Sequence, residues 1–186
     1  MATTDGRAAV VLAPGFEETE AVAVIDVLRR AGVSVAVAGL HGAGPVTGSH
    51  GLAVVADSAL SSLRADELDV LVLPGGMPGS RNLARSPGLL DLLRAMVAGG
   101  RRVAAICAAP LALQAAGLLK GRQVTAYPGI ERELGDVTYT GTDVQVDGPV
   151  ITGKGPGTAL RFGLEIVRAI GKPEKAAELA TAMLVG

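Results

Sequence analysis

Cys107 is the only cysteine in this chain of 186 residues. The apolar run Val103-Ala104-Ala105-Ile106 precedes it, of the kind a buried parallel strand needs. A helical pattern follows, with Leu111, Leu113 and Leu118 apolar and Gly117 as its stop. The thiol is therefore expected at the carboxyl end of a strand and the amino end of a helix. Ligand sites of open α/β sheets gather at such strand ends. The helix dipole and the free N–H groups there favour thiolate over thiol, which gives a nucleophile or an oxidation-sensitive sulfur. The competing reading is a small buried hydrophobe.

Two further groups fall at equivalent places. Gly75-Gly76 follows the β-branched apolar run 69–73, and Glu17, Glu18 and Glu20 follow the apolar run 7–12 and the turn Ala13-Pro14-Gly15-Phe16. Glycines at a strand end let backbone N–H groups approach a ligand closely. Together with the Ala108 N–H they could form an oxyanion hole. Taken singly, Gly75-Gly76 reads equally as an ordinary turn, and the glutamates as a solvated first helical turn that suits the dipole. The coincidence of all three with strand ends is more informative than any one.

Other chemistries lack their residues. No Gly-Lys-Ser/Thr ending is present for a phosphate-binding loop, and 153–158 carries Thr158 where the dinucleotide fingerprint wants a third glycine. There is no Gly-x-Ser-x-Gly elbow. His41 and His50 have no ligand-like spacing with Cys107, so no metal is expected, and one cysteine excludes an internal disulfide. Nucleic acid finds neither a basic footprint, at net charge −1, nor stacking surfaces, with Trp 0, Tyr 2 and Phe 2. The first residues are polar and no apolar run reaches spanning length, so neither a signal peptide nor a membrane segment is expected.

The elements that must position these groups alternate. Strands are expected at 7–12, 33–38, 69–73, 103–106, 123–126 and 150–152. Shorter strands are expected at 46–47, 52–56, 137–140 and 144–146, with Asp147-Gly148 as a hairpin turn. Helices are expected to about Arg30, from Asp57-Ser58 through Leu63, from Ser86-Pro87 to Ala98, after Cys107, and over 158–170 and 173–183; 131–134 reads as one helical turn. No linker or repeat divides the chain. The pattern predicts one α/β domain over 1–186, a flavodoxin-like doubly wound sandwich whose mostly parallel central sheet has helices on both faces.

Read as a set, Ala13-Pro14-Gly15-Phe16-Glu17-Glu18-Thr19-Glu20, Asp26-Val27-Leu28-Arg29-Arg30-Ala31-Gly32, Leu73-Pro74-Gly75-Gly76, Ala104-Ala105-Ile106-Cys107-Ala108-Ala109-Pro110 and Gly155-Pro156-Gly157-Thr158 resemble the ThiJ/PfpI superfamily in its parkinsonism-associated deglycase branch. The matches run in order over nearly the whole chain. The resemblance implies a homodimer whose reactive cysteine, here Cys107, sits in a strained elbow. It makes Glu20 the cysteine-contacting glutamate, leaves Glu17 and Glu18 as helix-start charges, and makes Gly75 and Ala108 backbone donors at an anion site.

Three departures from the family stand out. Tyr127 occupies the position before Pro128 where many members carry histidine, so no cysteine–histidine dyad forms there. Ala108 replaces the histidine that follows the cysteine in the protease-like branch, which argues against a peptidase. His50 and Lys154 stand where some relatives place arginines near the anion site. The activity implied is glutathione-independent glyoxalase or deglycase chemistry on methylglyoxal-type 2-oxoaldehydes, or on their early adducts with protein or nucleotide amines. It needs no cofactor and is expected in the cytoplasm. The alternatives are a cysteine-based oxidative-stress sensor or redox-regulated chaperone, and a catalytically idle homologue.

Overall fold

The computed structural model describes residues 6–185. Its elements run β1 (Arg7–Leu12), α1 (Glu18–Arg30), β2 (Ser34–Gly39), β3 (Gly44–Thr47), β4 (Ala53–Ala56), β5 (Ser58–Ala59), β6 (Val70–Leu73), α2 (Gly79–Ala84), α3 (Pro87–Ala98), β7 (Arg102–Ile106), α4 (Pro110–Ala115), β8 (Gln123–Val124), β9 (Thr138–Tyr139), β10 (Val144–Asp147), β11 (Val150–Gly153), α5 (Ala159–Ala169) and α6 (Pro173–Ala182). The central sheet has the order β10-β11-β7-β6-β1-β2-β5. Its pairs are parallel except β10 with β11. This is the α/β flavodoxin-like fold.

The apolar strands divide their side chains between two cores, because successive residues of a strand face opposite ways. Ala8, Val10, Leu12, Val72, Ala104 and Ile106 pack toward α1 and α5. Ala9, Val11, Leu71, Leu73, Val103 and Ala105 pack toward α2, α3 and α4. Both faces are covered, which is why these strands read as near-continuous apolar runs. At the start of α3, Ser86 caps the helix, its Oγ accepting from Leu89 N–H at 3.4 Å, with Pro87 in the first turn.

Three expectations need correction. Residues 57–63 form the two-residue strand β5 and a short 3-10 turn. Asp57 caps no helix there; its carboxylate accepts from Val37 N–H at 3.3 Å and lies 3.8 Å from Arg29. Of 123–126 only Gln123 and Val124 pair, with β9 in a separate small sheet. Thr125 N–H instead donates to the Thr152 side chain at 2.9 Å. Helix α2 is an addition: its Gly-Ser-Arg-Asn start carries turn signals, and tertiary packing of Ser80 and Leu83 overrides them. No helix among the described residues is long and apolar enough to cross a membrane.

Candidate active site

Strand order reverses between β1 and β6, and the loops after these two strands interlock there. Glu17 N–H donates to Gly75 O at 2.9 Å and Gly79 N–H to Gly15 O at 3.1 Å. Gly76 adopts φ +88, and a Cβ on it would lie 2.4 Å from Glu17 N. Backbone from the β1 loop therefore fills the crevice that a flavodoxin-like sheet commonly offers to a nucleotide phosphate.

Cys107 stands immediately beyond β7 with φ +64, a conformation that costs a non-glycine residue roughly 1–3 kcal/mol and persists only when its surroundings over-determine it. The surroundings do so. Its N–H donates to Gly153 O, and its carbonyl accepts from Tyr127 N–H, both at 2.9 Å. The elbow sets the side chain at the edge of the core that packs on α1 and α5, facing α1. There the Glu20 carboxyl, 0% exposed, meets a thiol that is 9% exposed.

Gly75 lies between them. A Cβ on it would sit 2.6 Å from Cys107 Cβ and 2.8 Å from Glu20 Oε2, so only glycine fits. Its N–H donates to Glu20 Oε2 at 2.7 Å. That engagement changes the donor set implied by the sequence. Gly75 serves the carboxyl, while the N–H groups of Gly76 and Ala108 face the sulfur.

The electrostatics of the pair are coupled. Burial, the charge of Glu20 and the hydrogen bond between the two side chains push the Cys107 thiol up to about 12, against the downward pull of the Gly76 and Ala108 N–H groups. Burial likewise lifts Glu20 to about 7, opposed by the Gly75 N–H and the Cys107 hydrogen bond and helped by the negative Glu17. The helix amino end alone therefore does not produce a free thiolate, because α4 begins only at Pro110 and burial outweighs it. Between the two steps the pair holds one negative charge and one proton, and the pKa values belong to the pair. Glu20 Oε1 has no nitrogen or oxygen partner. A proton shared between Oε1 and the sulfur would satisfy it.

The remaining sequence-derived residues lie at different distances from this chemistry. Tyr127 is fixed to Cys107 through its backbone. The residue is 51% exposed, and its ring packs over Gly155. Lys154 Nζ donates to Gly141 O at 3.0 Å. The His50 side chain, 73% exposed, pairs with Glu18 at 2.9 Å. Neither cation is left aimed at the sulfur.

Glu17 caps α1, its Oε2 accepting from Glu20 N–H at 2.7 Å. Glu18 is no exposed helix-start charge: it is 5% exposed and holds the 48–52 loop by accepting from the N–H groups of His50 and Leu52 and from Ser49 Oγ. Nothing in the sequence marked that role, since its partners lie more than thirty positions away. Among the described residues, Glu17, Glu18 and His50 bring ligand-type atoms within 4.8 Å of one another. A cation there would have to compete with the donors already on Glu18. The Arg81–Glu133 bidentate pair, at 2.7 and 2.8 Å, also went unread in the sequence; it ties α2 to the segment that follows Tyr127.

Fold and site together define an α/β protein with a buried cysteine–glutamate pair at a strand-to-helix elbow. The DJ-1/PfpI family profile matches residues 6–169. Protein dj-1beta of Drosophila melanogaster is 43% identical over 180 residues, spanning 96% of each chain. Its crystal structure superposes with a TM-score of 0.93, covering 97% of this chain and 98% of that one. The Parkinson disease protein 7 homolog of Danio rerio is 42% identical over 183 residues, 96% of this chain and 97% of its own. A Caenorhabditis elegans relative named glutathione-independent glyoxalase DJR-1.2 is 37% identical over 173 residues, 91% of each chain. The chain belongs to the DJ-1/PfpI family.

Proposed function

We propose that this protein is a cofactor-independent glyoxalase that converts 2-oxoaldehydes such as methylglyoxal to hydroxy acids through Cys107. The observation that carries this reading is the buried Cys107 thiol, held in a strained elbow against the buried Glu20 carboxyl and beside the N–H groups of Gly76 and Ala108. The thiolate adds to the aldehyde carbon, forming the C–S bond, and the alkoxide is held by the two N–H groups. Glu20 gives its proton to that oxygen and becomes a carboxylate. It then takes the hydrogen from the same carbon, leaving an enediolate; the proton on the first oxygen passes to the second, and Glu20 returns the hydrogen to the neighbouring carbon, which leaves a thioester. Water cleaves the thioester, releasing the hydroxy acid and restoring the thiol. No step needs an oxidant, and no histidine takes part, since Tyr127 stands in that position.

The same site would act on early aldehyde–amine adducts of proteins or nucleotides, the deglycase form of the reaction. The protein is further proposed to act as a cytoplasmic homodimer. Val22 on α1 and Leu52 and Val55 on the hairpin are large, exposed and apolar. Glu18, one turn before Val22, accepts from Leu52 N–H and so joins the two surfaces. The test of the reading is lactate production from methylglyoxal without glutathione, with wild type beside Cys107→Ala. Equal rates would end it.

A second reading, an oxidative-stress sensor or redox-regulated chaperone, is favoured by the same N–H groups, which would equally hold oxygens added to sulfur. Under mild peroxide it requires Cys107 to be oxidised ahead of the exposed Met77. Peptide mass mapping that finds Met77 oxidised first counts against it.

A further inference from the structure

We infer that the opposite end of the sheet carries a binding site for a small oxyanion, organised by Arg102. β7 starts at Arg102 and delivers Cys107 at its other end, about 17 Å away at the rise of a parallel strand. Below the sheet lies a cavity of about 410 Å³, lined by Asp69, Gly100, Arg101, Arg102, Ile170 and Gly171.

The charges around it do not cancel. Arg101 donates to Asp69 Oδ1 and Leu68 O, each at 3.1 Å, and to Asp66 O at 3.2 Å. Asp69 Oδ2 is taken by Arg7 N–H at 2.8 Å. That arginine and that acid neutralise one another. Arg102 is different. Its Nε is buried without a partner, and its side chain makes no hydrogen bond or ion pair among the described residues.

Alternation along β7 places Arg102 on the face of Ala104 and Ile106, the face packed against α1 and α5. An apolar side chain would suit that register. A guanidinium there leaves an expensive unmatched donor unless something accepts from it.

Among the described residues nothing accepts from Arg102 Nε. At the end of α5, the carbonyls of Ile166, Arg168 and Val167 accept from the N–H groups of Ile170, Gly171 and Lys172. The partial negative charge of that helix end favours the guanidinium but opposes a free anion. Binding must therefore come from direct contact, with an oxyanion meeting the planar fork of Arg102. The cavity suits inorganic phosphate or a short carboxylate. The inference stands independently of the chemistry at Cys107.

The test is an amide NMR titration of the full chain with inorganic phosphate, with lactate, and with chloride at matched ionic strength. We expect saturable shifts over 100–103 and 169–171 with phosphate, lactate or both, and none with chloride. Phosphate alone or lactate alone identifies the source. Arg102→Ala is expected to weaken binding about tenfold or more, the loss of a charge-assisted hydrogen bond. Arg102→Gln, which keeps the side chain's length, should weaken it as well and serves if the alanine variant fails to fold. Cys107→Ala should bind as wild type does. Shifts centred on Cys107, shifts that grow without saturating, or affinity unchanged by both Arg102 substitutions would overturn the assignment.

Discussion

Glu18 and Glu20 stand two positions apart in the first turn of α1, and both are buried, at 5% and 0% exposure. Burial pushes both carboxyls up. Yet Glu18 ends at about 2 and Glu20 at about 7. The difference lies in the donors. Glu18 is met by the His50 side chain, by the His50 and Leu52 N–H groups and by Ser49. Glu20 receives one backbone N–H, from Gly75, and faces a thiol and the charge of Glu17. Two residues along a helix is a turn of roughly 200°, so the side chains enter different surroundings. One region saturates a carboxylate and uses it to hold a loop. The other starves a carboxyl of donors and so holds its pKa up, beside a thiol. The same residue type becomes structural or chemical according to its supply of N–H groups.

The sharpest way to break the reactive side is Cys107→Ser. Loss of the nucleophile should lower lactate production by roughly 10³ or more while the protein folds normally. Retention of a tenth of wild-type turnover would refute Cys107 as nucleophile.

Next in size is Glu20→Gln, which keeps a donor but carries no transferable proton. Turnover should fall by about 10², the scale of general acid–base catalysis. Iodoacetamide should still alkylate Cys107, with the alkylation midpoint above that of wild type because burial remains and the donor is weaker. Glu20→Leu should move it further. If Glu20→Leu alkylates at the wild-type pH, the carboxyl does not touch the sulfur.

On the structural side, Glu18→Gln should cost stability by about 1–3 kcal/mol, since buried donors lose their charged acceptor. Glu18 lies under a thin loop and not deep in the core, so solvent screens part of its charge. Denaturant titration measures the loss. Turnover per folded molecule should change little, and a loss of activity matching that of Glu20→Gln would erase the distinction between the two carboxylates.

The pH dependences should run in opposite directions. Glu18 is held below its ordinary 4.5, so its contribution is complete above that value and is lost as pH falls toward about 2. Glu20 is held above 4.5, so the contribution of its protonated form is complete below that value and is lost as pH rises through about 7. Stability relative to each glutamine variant, followed across both windows, should show the two opposite slopes. The smallest effect belongs to Arg81→Ala. Its pair with Glu133 is half-exposed, so solvent screens it, and denaturant titration should show a smaller loss than for Glu18→Gln.

Much of the fold was legible because it is periodic. Apolar runs buried on both faces, as at 69–73 and 103–106, announce parallel strands. Ser86-Pro87 announces a helix start, and glycines after Arg30, Ala98 and Ile170 announce helix ends. The order of the motifs also placed Cys107, Glu20 and Gly75 at strand and helix ends that one sheet brings together. What escaped was non-local. α2 lay hidden in turn-like residues and is stabilised by burying Leu83 against another layer. Asp57, a plausible cap, was captured by Val37 from a neighbouring strand.

The sequence by itself determined the alternation of strands and helices and the single thiol, because periodicity and side-chain chemistry are properties of neighbouring residues. Only the tertiary structure decided that Gly75 serves Glu20 while Gly76 and Ala108 face the sulfur, and that Glu18 is held well below the ordinary carboxylate range where Glu20 is held above it. Those outcomes depend on which backbone N–H groups arrive from tens of residues away.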